Sequence, residues 1–394
     1  MRFILLRKEI NTGGFMILIM KIGIAFFQVI YSVLKLFPTK NKMLFLSRQM
    51  NHPSVDFSML GEVMAKEHPD WDVVMLCRKI EPGLKSKISY VFHMFRQAYE
   101  LATSRVLILD SYAILPCCLH HKKSLLIIQI WHSVGTMKKA GYSSLDSKEG
   151  RSSKVAHALH MHEQYDYVLA ASDAYKQNLA DQFHQDPERI VTLALPRIQL
   201  LKDPEYASGK REEIIKRHPK LANPGKKNIL YCPTFRKNED ETIEFQHAIE
   251  GLLQSIDLTK YNLIVKLHPL TNYKIPKQNG VIRARKFTTF EMLFVSDIVI
   301  SDYSCIIYEA AVRNIPLYFY AYDYEKYIET RGLFIDYLNE VPGPVCYTAE
   351  EIADALEKPY DMERLKMFAD KYVSPENHDE AKSIIDFALS HLKS

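Results

Sequence analysis

Short apolar runs alternate with segments of helical period along most of the chain, and that alternation restricts the fold to parallel α/β architecture. Strand-like runs fall at residues 43–47, 71–77, 106–110, 125–131, 167–171 and 190–194, and again at 228–232, 263–267, 281–283, 298–300 and 317–320. Helical patterns fill the intervals, notably over 55–66 and 91–103, and the tail from 350 to 394 reads as helical. Between 200 and 226 the chain turns polar and charged, which marks a linker holding one short helix. Two Rossmann-like domains are therefore expected, over 41–200 and 227–394, with the linker at 201–226. A cleft between them is the usual place for a ligand. A length of 394 residues is comfortable for two cores and long for one.

A hydrophobic content of 47% with 25% charged residues excludes global disorder, and a net charge of +4 gives no sign of a nucleic-acid partner. The distribution of charge says more. Residues 1–50 carry Arg2, Arg7, Lys8, Lys21, Lys35, Lys40, Lys42 and Arg48 against one acid, Glu9. Within this stretch, residues 15–37 are apolar over a length that suits a bilayer, interrupted by Lys21, Gln28 and Lys35. That seven-residue recurrence puts the polar groups near one helical face. The segment, within residues 1–40, is expected to lie in a membrane interface, with a true span and a buried core helix as the alternatives. No small-residue cleavage site follows it. The six cysteines have no framework spacing and sit mostly in apolar runs, as reduced buried thiols do. With 14 glycines and no G-x-G-x-x-G or Walker A run, a Gly-rich phosphate cradle is excluded.

Polar clusters follow several of the strands, where open α/β sheets place their ligands. After 298–300 comes Ser-Asp-Tyr-Ser, with Ser301, Asp302 and Ser304 each competent to cap a helix and Glu309 in its first turns. A helix N-terminus there suits a phosphate, and an ordinary capped helix is the plain alternative. His132 follows 125–131 and leads into Gly135, Thr136, Lys138 and Lys139. It suits a general base, or a structural histidine at a strand end. Pro233, Thr234 and Arg236 follow 228–232, and Arg236 suits bidentate phosphate contact or a solvated loop. Lys266 and His268 share a face at the end of the next strand, which Pro269 closes; Arg197 follows the last strand of the first half. Histidine or arginine with hydroxyls at strand ends in both halves suits a diphosphate. His157, His160 and His162 have metal-like spacing without a completing ligand, so a surface face is the expected reading, as it is for His120 and His121.

Taken together, Q-I-W-H-S-V-G-T-M-K-K-A-G-Y (129–142), A-L-P-R (194–197), I-L-Y-C-P-T-F-R (229–236), K-L-H-P (266–269) and S-D-Y-S-C-I-I-Y-E-A (301–310) resemble the CDP-glycerol glycerophosphotransferase family of teichoic acid synthesis. Residues 318–327 and 331–344 extend the likeness, which covers roughly 120–385. The resemblance implies a GT-B-like fold at the cytoplasmic face of the cell membrane. It implies a CDP-polyol donor, CDP-glycerol or CDP-ribitol, a prenyl-diphosphate-linked saccharide acceptor, release of CMP, and neither cofactor nor metal. His132 would be the general base, and His268, Arg236, Arg197, Ser304 and the helix after Ser301 would hold the diphosphate. Gly135, Thr136, Lys138, Pro233, Thr234, Asp302 and Glu309 would complete the substrate site. Ala194, Gln199 and Glu309 depart from the family's usual residues, as do Ser133 and Val134. A GT-B glycosyltransferase using a nucleotide sugar is the alternative enzyme, and a non-catalytic membrane-bound assembly component the alternative of another class.

Overall fold

A computed structural model describes residues 2–236, 239–268, 271, 273–373 and 379–393. The chain falls into two compact units, one formed by Met1–His132, Ala140–Pro196 and Asp379–Ser394, the other by Ser133–Lys139 and Arg197–His378.

The first unit holds a six-stranded parallel sheet of β1 (Lys42–Ser47), β2 (Asp72–Cys77), β3 (Val106–Leu109), β4 (Leu126–Gln129), β5 (Tyr167–Ala170) and β6 (Ile190–Thr192), in the order β2-β1-β3-β4-β5-β6. Strands β1, β3 and β4 are buried along their whole length, as parallel strands covered on both faces should be. Strand β4 stops two residues short of the expected end because Trp131 takes a left-handed backbone, φ 63°, and turns the chain out of the sheet. The helix expected from residue 91 starts at Leu84, after Gly83 at φ 103°. Its first turns expose Leu84 and Ile88, so no core-facing stripe announced them. Inside the unit, Lys42 reaches Glu100 at 2.7 Å and the Thr103 hydroxyl at 2.8 Å, a buried ion pair tying β1 to that helix.

The second unit has its own parallel sheet: β7 (Lys227–Tyr231), β8 (Tyr261–Val265), β9 (Val281–Ile282), β10 (Ile298–Ser301), β11 (Leu317–Tyr320) and β12 (Val345–Cys346), in the order β12-β11-β10-β7-β8-β9. The two-residue β12 was not expected; so short a run carries no periodicity to read. The presumed linker is largely helical, Arg197–Lys202 and then Pro204–Arg217, the latter capped by Asp203 through the backbone N–H groups of Glu205 and Tyr206. The chain runs out from β7 through β8 to β9 and then returns to the other side of β7 as β10. The order thus reverses between β7 and β10, which opens a crevice beyond their carboxyl ends.

Two segments group differently from the expected boundaries. Residues 133–139 join the second unit, where the Lys139 N–H bonds the Gly332 carbonyl and the Phe334 N–H bonds Met137. The final helix Glu380–Ser390 joins the first unit, where Lys382 pairs with Glu67 at 2.5 Å and Phe387 packs edge-on against Tyr167.

The N-terminal helix spans Arg2–Leu34, and its part from Gly14 to Leu34 is apolar and long enough to cross a membrane. Of the expected polar face, Lys21 is exposed, and Gln28 and Lys35 are half-buried. Gln28 accepts the His120 N–H and Lys35 donates to the His120 carbonyl, so these residues dock the helix on its own unit. Tyr31, fully buried, bonds Nδ1 of His121, whose Nε2 donates to the Pro116 carbonyl. Burial holds His121 neutral, its pKa pushed down to about 4, which corrects the expectation of a surface turn there. Removing one partner of a buried pair strands the other charge. Glu100→Ala should therefore lower stability by about 3 kcal/mol, measured as a fall in Tm of the full chain.

Candidate functional site

The crevice between β7 and β10 is organised by one carboxylate. Asp302 follows β10, and its Oδ1 receives the Thr234 N–H at 2.8 Å, the Thr234 hydroxyl at 2.7 Å and the Tyr303 N–H at 2.7 Å. Its Oδ2 receives Arg236 Nη2 at 3.0 Å. Arg236 in turn holds Asp323, beyond β11, in a two-pronged pair, Nε to Oδ2 at 2.7 Å and Nη2 to Oδ1 at 3.0 Å, and donates Nη1 to the Thr234 carbonyl. The three charged side chains are 2–4% exposed. The Tyr303, Tyr322 and Tyr327 rings lie 5.0–5.5 Å from the guanidinium carbon, and the Tyr303 hydroxyl donates to Asp323.

This arrangement corrects the expectation for Arg236. The guanidinium is buried among rings and matched to two carboxylates, so it is neither a solvated loop group nor a cation left open for a bidentate phosphate contact. Ser301 and Asp302 do not cap the next helix. The Ser301 hydroxyl, fully buried, donates to the Cys232 carbonyl at 2.8 Å, and the cap position of helix Ile306–Val312 is Cys305, with no side-chain cap bond. Arg197 and Glu309 are brought together as a pair at 2.9 Å that joins helix Arg197–Lys202 to helix Ile306–Val312. Pro233 is buried at the start of the β7 loop, and Ser304 stays half-buried beside Cys305.

Residues 133–139 cross this unit as a strap. Gly135 passes so close to Tyr308 that a Cβ there would stand 2.6 Å from the ring, and the Tyr308 hydroxyl donates to the Thr136 carbonyl at 2.9 Å. Lys138 pairs backbone to backbone with Leu333, and its ammonium has no hydrogen-bond or ion-pair partner among the described residues. Burial pushes its pKa below the ordinary lysine value. Arg331 and Arg236 act in the same direction, and Cys305 and Asp302 oppose them. Lys138 is thus a desolvated cation beside the Asp302–Cys305 turn with no hydrogen-bonded counter-ion among the described residues.

His268 lies at the end of the same sheet, its ring 5.1 Å from Phe235. Lys266, expected beside it, instead donates to the carbonyls of Ala284 and Phe287. Pro269 lies outside the described residues.

In the first unit His132 follows β4. Its Nδ1 lies 3.0 Å from the Asp110 carbonyl, which can only accept, and 3.4 Å from the Gln49 side-chain amide; a proton on Nδ1 donated to that carbonyl leaves Nε2 as the basic nitrogen. Trp131 stacks obliquely on the His132 ring with centroids 3.9 Å apart and rests edge-on against Phe183. A bulky residue with positive φ next to a chemical group is strain held by its surroundings. Of the three histidines expected on a surface face, His157 and His160 are exposed and His162 is not. His160 pairs with Glu163, and His162 is buried against Tyr165 with its pKa pushed down to about 3. Among the described residues no cluster of metal-ligating side chains occurs.

Asp323, Trp131 and Tyr308 were not singled out from the sequence. Asp323 had a signal, an acid embedded in the aromatic run 318–327; a left-handed Trp131 had none. Replacing Arg236 with Met should destabilise the chain by about 3–5 kcal/mol, because two buried carboxylates lose their partner. Adding Asp323→Asn should recover part of the loss in denaturant unfolding.

A family model described as CDP-glycerol:poly(glycerophosphate) glycerophosphotransferase matches residues 28–390. The teichoic acid ribitol-phosphate primase of Bacillus spizizenii is 28% identical over 343 residues, 84% of this chain and 86% of that protein. The teichoic acid glycerol-phosphate primase of Bacillus subtilis is 28% identical over 334 residues, 84% and 83% of the two chains. Among solved structures, the wall teichoic acid polymerase TagF shares the fold with a TM-score of 0.72 at 19% identity, over 97% of this chain and 98% of that one.

Proposed function

Since the chain belongs to the CDP-glycerol:poly(glycerophosphate) glycerophosphotransferase family, and is thus a CDP-polyol transferase of teichoic acid synthesis with a GT-B-like fold, we propose its donor, acceptor and residue roles as follows. The donor is CDP-glycerol, the acceptor a hydroxyl of a prenyl-diphosphate-linked saccharide, and the products a polyol phosphodiester and CMP. The observation that carries this reading is the unpaired Lys138 ammonium beside the Asp302–Cys305 turn, a place for the donor's diphosphate.

In this reading Nε2 of His132 takes the proton of the acceptor hydroxyl. The acceptor oxygen attacks the polyol-bearing β-phosphorus, and the bond from that phosphorus to the bridging oxygen breaks. CMP leaves with the oxygen and its electron pair. Lys138, Ser304 and His268 hold the diphosphate and stabilise charge on departing CMP. Arg236, Asp302 and Thr234 act beneath them by fixing the two loops, and Gly135 and Thr136 by fixing the strap. The Asp110 carbonyl keeps His132 in the tautomer that a base requires.

Purified protein given CDP-glycerol and acceptor should release CMP. His132→Ala should reduce release at least 100-fold with donor binding retained, and unchanged turnover would rule out the base. Lys138→Met should weaken donor binding about tenfold. Because the anion is attracted by the ammonium and burial lowers its pKa, donor affinity should fall with rising pH sooner than an ordinary lysine dictates. The Met variant should lack that limb.

We also propose that the N-terminal helix rests on the cytoplasmic face of the membrane. Phe15, Leu18, Ile22, Phe26, Val29 and Val33 are each more than half exposed, and the segment carries no acid from Gly14 to Phe37. Exchanging Ile22, Phe26 and Val29 for Asp should abolish sedimentation with anionic vesicles and leave CMP release to a water-soluble acceptor intact.

A further inference from the structure

The second unit carries a second anion-binding feature, at the other end of its sheet. An open groove of about 560 Å³ is lined by His218, Lys220, Lys277, Gln278, Asn279 and Arg283, with no carboxylate in its wall. It lies beside the outer strand β9. Lys220 belongs to the turn Pro219–Ala222 that precedes β7, and residues 277–279 precede β9, so the groove sits toward the amino ends of the strands.

This groove is built rather than incidental. Asn228 and Asn262, both buried, are hydrogen-bonded to each other at 2.9 Å. Asn262 donates to the Lys220 carbonyl and Asn228 to the Leu221 carbonyl, which pins the turn bearing Lys220. Lys220 reaches across to the Asn279 amide oxygen at 3.1 Å, and the His218 ring packs 6.1 Å from Phe287. Lys277 and Arg283 have no hydrogen-bond or ion-pair partner for their side chains among the described residues. Lys210, Lys260, Lys326 and Lys371 of the same unit, by contrast, each hold a carboxylate.

We infer that this groove binds a polyol-phosphate chain, the product of repeated transfer; the inference rests on the function proposed above. Such a chain carries one negative charge per repeat, which suits three cations ranged along an open groove. The Gln278 and Asn279 amides suit its hydroxyls. Strand β8 alone separates the amino and carboxyl ends of the sheet by roughly 17 Å. A chain of several repeats can set successive negative charges against the cations along the groove.

The test measures equilibrium binding of a fluorescent glycerol-phosphate oligomer to the full-length protein, which needs no turnover. K220E/K277E/R283E should weaken binding at least tenfold, and K123E/K154E/K366E, the same charge change at exposed sites elsewhere, by less than twofold. Inorganic phosphate at matched phosphate concentration should not displace the oligomer, and binding to phosphatidylglycerol vesicles should be the same in the groove variant and the native protein. CMP release with a saccharide acceptor lacking polyol phosphate should also be unaltered. Native affinity in the groove variant, equal loss in the control, or loss of vesicle binding through the groove would each overturn the inference. Absence of CMP release by the native protein would count against the proposed function, and the binding comparison would still stand as measured.

Discussion

The second unit depends on a guanidinium that never reaches water. Arg236 lies between Asp302 and Asp323, with the Tyr303, Tyr322 and Tyr327 rings around it. Three buried charges are costly unless every donor and acceptor is matched, and here the match is nearly complete. What the cluster achieves is register. The loop after β7, the turn after β10 and the segment after β11 all meet at one cation, so the crevice at the reversal of strand order has a fixed floor. The Tyr337 hydroxyl, donating to the Asp302 carbonyl, adds a fourth segment to the same knot.

That floor separates cations by role. Arg236 and Arg197 are matched to carboxylates inside the protein and serve as architecture. Lys138, Lys277 and Arg283 have no hydrogen-bond or ion-pair partner for their side chains among the described residues, so their charge is left for a ligand or for water. Lys138 is offered next to the Asp302 turn, and the other two at the amino ends of the strands. A residue type known to favour phosphate thus says little until its partners are counted; the burial of Arg236 reverses the meaning of its motif.

How much of this was legible follows from the range of each interaction. The strands of both sheets were readable because runs such as 43–46 and 298–300 are buried on both faces and need only local pattern. Ser301 and Asp302 have the chemistry of helix caps but do not cap, because both are drawn to partners more than 60 residues away, Cys232 and Thr234. Gln28 and Lys35 looked like a water-facing stripe because seven-residue spacing gives a face without saying what it meets. Their partner, the backbone of His120, lies about ninety positions along the chain. Strand β12, the early start of the helix at Leu84 and the return of the last helix to the first unit left no local pattern at all.

The histidine after β4 illustrates how strain and chemistry combine. A neutral histidine in water populates both tautomers, and the hydrogen bond made by one ring nitrogen decides which of them the protein holds. The Asp110 carbonyl removes that ambiguity, because a carbonyl can only be donated to, and it fixes the proton on Nδ1. Reaching that carbonyl requires the chain to leave β4 sharply, and the sharp exit is the left-handed Trp131. The strain is held by the large ring itself, wedged between His132 and Phe183. Glycine would relieve the backbone and lose the wedge, so the strained residue in the turn is also the one that packs the His132 ring in place.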